Sequence, residues 1–176
     1  QDAWAVRSNA KAKASIAKFA EEIVPITIPQ RKGESIVVSE DESIRPSTTI
    51  EALSKLNSAF SKDGTITAGN APGVNDGACA LILMSERRAI QEGRKPLATV
   101  LGHAEIEVET KDFTQTPGIV INKLLEKTGK TLADVDLFEI NEAFAAVTLV
   151  SNQIAGLDEE KVNVNGGAVA LGHPIG

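Results

Sequence analysis

Val135-Asp136-Leu137-Phe138-Glu139-Ile140, the mostly apolar Glu142–Ala155 beyond Asn141, and Val162-Asn163-Val164-Asn165 are the stretch that decides the fold. The first piece has strand length and strand composition. The second is long enough for a helix and is closed by Gly156, a residue that accepts the left-handed conformation at a helix end. The third is a second short strand. Strand, helix and strand in succession predict a βαβ unit, hence an α/β fold whose sheet is mainly parallel and covered on both faces.

The alternation continues upstream. Ile119–Thr128 reads as a helix stopped by Gly129, and Ala98–Glu109 as a long strand. Ser85–Glu92 reads as a helix stopped by Gly93. Ala78-Cys79-Ala80-Leu81-Ile82-Leu83-Met84 is a continuous apolar run, the pattern of a strand buried on both faces. Residues 65–77 are too dense in Gly, Asn and Pro for a regular element and predict a loop that approaches something closely. Thr48 and Glu51 have capping-box spacing, which predicts a helix over about Thr49–Leu56. Residues 23–44 predict an irregular hairpin, with Pro25 and Pro29 confining its first strand to an edge. Glu40-Asp41-Glu42 fits a solvated loop. Residues 3–22 form an Ala- and Lys-rich helical pattern with Ile16, Phe19 and Ile23 on one face.

Bulk properties narrow the function classes. The 176 residues suffice for one sizeable α/β domain or two small ones. A formal charge of −6 argues mildly against non-specific binding to nucleic acid or anionic membranes. No apolar run approaches the ~20 residues of a membrane span. The one cysteine, Cys79, has no partner for an internal disulfide, so a reducing compartment, the cytoplasm, is expected. The chain starts without Met inside a helical pattern and stops inside a glycine-rich turn, so both ends are expected to be cut.

Chemistry concentrates where strands end, the place at which parallel sheets bind ligands. Asn141 follows Ile140 and precedes the helix; it reads as a helix N-cap or as a site residue. His173 lies in Gly166-Gly167-Ala168-Val169-Ala170-Leu171-Gly172-His173-Pro174-Ile175-Gly176. Pro174 biases it away from helical dihedrals, and the glycines permit close backbone approach. An imidazole on such a turn suits acid–base or oxyanion work, the other reading being a buried hydrogen-bonded histidine. His103, placed on the Ala98–Glu109 strand, reads as structural. There is no Walker pattern, and no G-x-G-x-x-G joins a strand to a helix.

Three of these segments carry a resemblance. Asn141-Glu142-Ala143-Phe144-Ala145 resembles the N-E-A-F-A signature of the thiolases. Gly166–Gly176 resembles their G-G-A-x-A-x-G-H-P-x-G signature, and Thr67–Gly77 their T-A-G-N-A-S-G-x-N-D-G loop. Glu22-Ile23-Val24-Pro25 and Leu83-Met84-Ser85-Glu86 are similar too, so the resemblance spans essentially the whole chain. It is nearest to the acetyl-CoA acetyltransferase group.

The resemblance implies a layered α-β-α-β-α fold, partial here. Residues 1–74 would be the later part of an inserted loop domain, 75–93 the end of the N-terminal domain, and 94–176 the start of the C-terminal domain. It implies condensation of two acetyl-CoA to acetoacetyl-CoA and CoA, or the reverse thiolysis, through a cysteine acyl-enzyme in the complete protein. A longer-chain 3-ketoacyl-CoA thiolase and a non-catalytic acyl-CoA-binding or assembly protein are the alternatives. His173 would activate the nucleophilic cysteine and, with a water held by Asn141, form an oxyanion hole. Both family cysteines fall outside this chain, so the fragment alone is expected to be inactive. Cys79 stands where alanine is common and reads as a buried structural thiol. Arg45, Phe60, Ala68 and Phe144 fall at positions lining the coenzyme A groove, although each also reads as surface charge or packing. Pro72 departs from the family's usual serine, so a hydroxyl contact to pantetheine is lost or replaced. No metal and no cofactor are implied, coenzyme A thioesters being substrates. The complete protein would be a homodimer or homotetramer.

Overall fold

The computed structural model describes residues 1–175; the last glycine of the Gly166–Gly176 signature lies outside them. Seven α-helices occur among the described residues: α1 (Asp2–Ala14), α2 (Ile16–Phe19), α3 (Ile50–Leu53), α4 (Glu86–Gln91), α5 (Thr116–Thr128), α6 (Ala145–Ala155) and α7 (Ala168–Leu171). Two strands, β1 (Ile26–Ile28) and β2 (Ile36–Val38), form the expected antiparallel hairpin, with Ile26 opposite Val38 and Ile28 opposite Ile36.

The core gathers around the segment that decides the fold. Trp4, Ile140, Ala145 and Val162 are buried together, with Ile121, Phe138, Leu149, Leu157 and Val169 packed against them. Phe138 and Val162 make a parallel bridge, the link between the two strand segments of the βαβ unit. Phe138 N–H donates to the Lys161 carbonyl at 2.9 Å, and Asn163 N–H to the Phe138 carbonyl at 2.9 Å. α5 lies against α6 at very short range. A Cβ on Gly118 would stand 2.9 Å from Ile154 Cβ and 3.0 Å from the Ser151 backbone. Gly129 and Gly156 end these two helices in the left-handed region, at φ 65° and 67°.

α1 departs from its expected face. It buries Trp4, Ala5, Ser8, Asn9 and Ala12 and stops at Ser15, leaving Ile16 in the exposed α2. The reason is close backbone approach. A Cβ on Gly166, itself at φ 82°, would meet the Ser8 carbonyl at 2.6 Å and Ala12 N at 2.7 Å. Small residues permit that approach and bulky ones would block it. α3 starts one residue later than expected. Thr49 caps it, accepting from Ala52 N–H at 3.2 Å, while Thr48 Oγ1 donates to the Arg45 carbonyl.

The two strongest strand patterns upstream form no strand among the described residues. Leu81, Ile82 and Leu83 are 84%, 88% and 79% exposed, and Cys79 is exposed rather than buried. Apolarity reports a preference for burial, but a strand also requires a neighbour for its backbone N–H and C=O groups, and none of the described residues pairs with this run. Residues 101–108 do alternate, with Gly102, Ala104, Ile106 and Val108 half-buried. They are held along α5 by lysines: Lys123 Nζ donates to the Glu105 carbonyl at 2.7 Å and Lys127 Nζ to that of His103 at 2.8 Å. His103 itself is exposed, so it is not a core histidine. The mainly parallel sheet is thus reduced, among the described residues, to single bridges.

Candidate active site

Asn141 and His173 come together. Asn141 Nδ2 stands 3.3 Å from His173 Nε2, and in the tautomer protonated on Nδ1 the amide donates to the ring. Asn141 does not cap the helix. α6 begins at Ala145 after an extended Phe144, so the exposed Asn141 amide is not engaged in capping it.

Three loops build this arrangement. The 67–77 loop is pinned by Asn70, which is buried. Asn70 Oδ1 accepts from Thr67 N–H at 2.9 Å, and its Nδ2 donates to Asp2 Oδ1 at 2.8 Å and to the Thr65 carbonyl at 3.0 Å. Its carbonyl then accepts from Ala145 N–H at 3.0 Å, which satisfies a free amide at the start of α6. The far end of the same loop holds His173: the histidine N–H donates to the Gly73 carbonyl at 3.1 Å, and Val74 pairs with His173 in a parallel bridge. Gly172, at φ 99°, clears the Asn75 side chain, which a Cβ would meet at 2.4 Å.

With Nε2 protonated instead, the amide and the imidazole that converge here are both donors. A carbonyl oxygen placed between them could receive two hydrogen bonds as it gains negative charge. A hollow of about 300 Å³ opens beside Asn141, lined by Phe113, Val120, Ile121, Ile140 and Val147. Glu139 also lines it, and its carboxyl lies above the usual range, first through desolvation and then through the nearby Glu142 charge. A larger hollow, about 440 Å³ between α2 and the 39–46 segment, is lined by none of the candidate residues.

The groove candidates divide. Phe60 and Phe144 meet edge to face with ring centres 5.7 Å apart, and Phe113 meets Phe144 at 6.2 Å. Phe60 is 73% exposed, so this aromatic wall faces solvent. Ala68 and Arg45 are exposed as well. Asn9 Oδ1 holds the Arg45 backbone N–H at 2.8 Å, and the guanidinium forms no ion pair among the described residues.

Residues 1–87 match the thiolase N-terminal domain family and residues 94–176 the thiolase C-terminal domain family. The chain belongs to the thiolase family. It is 48% identical to a Staphylococcus aureus protein named "Probable acetyl-CoA acyltransferase", over 100% of this chain and 45% of the relative. A Staphylococcus epidermidis protein of the same name is 47% identical with the same coverage. The crystal structure of the Bacillus anthracis acetyl-CoA acetyltransferase superimposes with a TM-score of 0.95 at 47% identity, over 99% of this chain and 45% of that one. The chain thus has the thiolase fold over a little under half the length of these relatives.

Within this thiolase chain, residues outside the sequence-derived set hold the site in place. Glu142 is 0% exposed and accepts four hydrogen bonds. Asn163, at φ 46°, braces Ile140 through both backbone groups at 2.8 Å each. One signal was readable for Glu142: it is the only acidic residue in the apolar stretch from 140 to 157. Its partners were not readable, because they are 21 to 138 residues away in sequence.

Proposed function

We propose that the complete protein is an acyltransferase that condenses two acetyl-CoA to acetoacetyl-CoA and CoA, or runs the reverse thiolysis, through a cysteine acyl-enzyme. The observation that carries this reading is the 3.3 Å approach of Asn141 Nδ2 to His173 Nε2 on two signature loops. In this proposal His173 withdraws the proton of a nucleophilic thiol. His173 and a water held by Asn141 then steady the thioester oxygen as charge builds on it. The name of the Bacillus relative, acetyl-CoA acetyltransferase, supports acetyl transfer, whereas the staphylococcal name, acetyl-CoA acyltransferase, leaves the acyl length open and the longer-chain 3-ketoacyl reading stays the alternative. Phe60, Phe144, Ala68 and Arg45 are proposed as part of the coenzyme A groove. The division into residues 1–74, 75–93 and 94–176, a homodimeric or homotetrameric state and a cytoplasmic setting belong to the same reading. No helix of the described residues is long and apolar enough to cross a membrane.

The test uses acetoacetyl-CoA thiolysis by the complete gene product. Asn141→Ala should slow turnover by about 10²–10³, the usual loss for one oxyanion donor. His173→Ala should cost more, because base catalysis contributes a further ~10²–10⁴ where it is independent. Iodoacetamide alkylation of the nucleophile should slow sharply in His173→Ala and stay near normal in Asn141→Ala. Equal alkylation rates in the two variants would remove the base role from His173. The 176-residue chain alone should show no thiolysis, and turnover by that chain that survives Cys79→Ala would overturn the mechanism.

A further inference from the structure

We infer that Glu142 is a positioning residue, a buried carboxylate that sets the distance between Asn141 and His173; the inference rests on the reading of these two residues given above. Glu142 directly follows Asn141 and has no exposed surface. Each of its oxygens accepts two hydrogen bonds. Oε1 accepts from Trp4 Nε1 at 2.7 Å and from Asn163 Nδ2 at 3.0 Å. Oε2 accepts from Ser8 Oγ at 2.9 Å and from Val169 N–H at 2.9 Å. No cation pairs with it among the described residues. Four neutral donors therefore replace the water that a charged carboxylate would otherwise keep.

The donors come from the segments whose placement matters. Asn163 also clamps both backbone groups of Ile140, the residue on the other side of Asn141. Val169 lies in α7, one turn before His173. Ser8 Oγ additionally accepts from Gly167 N–H at 2.9 Å, tying α1 to the start of α7. Gly167 has no room for a side chain: a Cβ there would stand 2.4 Å from the Glu142 carboxyl carbon. One anion thus joins both neighbours of Asn141 to the helix that delivers His173. A salt bridge would bring one partner; a carboxylate with four acceptor sites can gather four. A glutamine of the same shape cannot, because its NH₂ would face Trp4 Nε1–H and Asn163 Nδ2–H, or Val169 N–H.

The decisive experiment is Glu142→Gln in the complete gene product, read in two ways. In a crystal structure of the variant, the Asn141–His173 separation should open from 3.3 Å to beyond hydrogen-bond reach. A folded variant that keeps the separation overturns the inference, whether or not the protein has thiolase activity. In acetoacetyl-CoA thiolysis, kcat should fall by about 10–100-fold with KM within about twofold, since misplacement of ~1 Å can cost that much. In an Asn141→Ala background the same change should lower kcat by less than about threefold, because the two act through one contact. An equal loss in both backgrounds would mark a general folding defect and also overturn the inference. If Glu142→Gln does not fold, Ser8→Ala removes one donor and the Gly167 tie: a smaller kcat loss, again suppressed by Asn141→Ala, is expected, and additivity counts against the role. A wild-type protein without thiolysis would sink the functional proposal alone, and the crystallographic distance would still decide the positioning role.

Discussion

The Asn141–Glu142–His173 block and the Ala78–Met84 run sit at opposite ends of what a sequence pattern can guarantee. The first is rich in polar groups that usually avoid a core, yet Glu142, Asn163 and Ser8 are buried. The second is the most apolar stretch upstream, yet Leu81, Ile82 and Leu83 lie open to solvent. The difference is where the partners are. Every hydrogen bond that Glu142 accepts comes from a group within this chain. The Ala78–Met84 backbone finds no pairing neighbour among the described residues, so its apolarity has nothing to act on. Burial follows from available partners more than from residue type.

Four measurements break or sharpen this contrast, the first three by chemical denaturation. Trp4→Ala should be the most damaging, at about 3–5 kcal/mol, since it empties the centre of the core and removes a donor from Glu142. A loss under about 1 kcal/mol would mean that the polar block is not held by its core. Gly167→Ala should cost about 1–3 kcal/mol by forcing a methyl against the Glu142 carboxylate. If this variant is as stable as the parent, the block is looser than its geometry indicates. Ile82→Ser should change the stability of the 176-residue chain by less than about 0.5 kcal/mol, as for an exposed position. A cost above about 2 kcal/mol would show that the run is covered after all.

The smallest effect concerns pH. The Glu139 carboxyl is raised, chiefly by desolvation and then by Glu142. A carboxyl raised on folding favours the folded state below its unfolded pKa, and this contribution is lost as pH rises through the folded value. Glu139→Gln should therefore match the parent near pH 3 and become slightly the more stable of the two toward pH 7. The carboxyl is partly desolvated although the residue keeps solvent contact, so only the smaller part of the gap, the repulsion from Glu142, should shrink in salt. A gap that widens toward low pH would reverse the assigned sign.

Chain order and chemistry were legible where the signal was local. The α5 and α6 helices with their glycine stops, the β1–β2 hairpin and the two site loops all follow from neighbouring residues. So did the pairing of Asn141 with His173 as candidates, because strand ends in a βαβ unit lie side by side. The cap at Thr49 rather than Thr48, the small face of α1 and the short helix α7 were missed. The last two depend on a contact with a distant segment, Gly166 against α1 and Val169 against Glu142; the cap is local, and turns on Thr48 Oγ1 being bonded to the Arg45 carbonyl.

By itself, then, the sequence determined which segments become helix or hairpin and which side chains can carry chemistry, since propensity, capping and side-chain pKa are properties of a residue and its neighbours. Only the tertiary structure decided that an acid beside Asn141 is buried among four donors, and that the apolar run finds no pairing neighbour among the described residues of a chain spanning 45% of its relatives' length. Both outcomes turn on whether a partner from elsewhere in the chain arrives within hydrogen-bond distance, and that is a property of the folded chain as a whole.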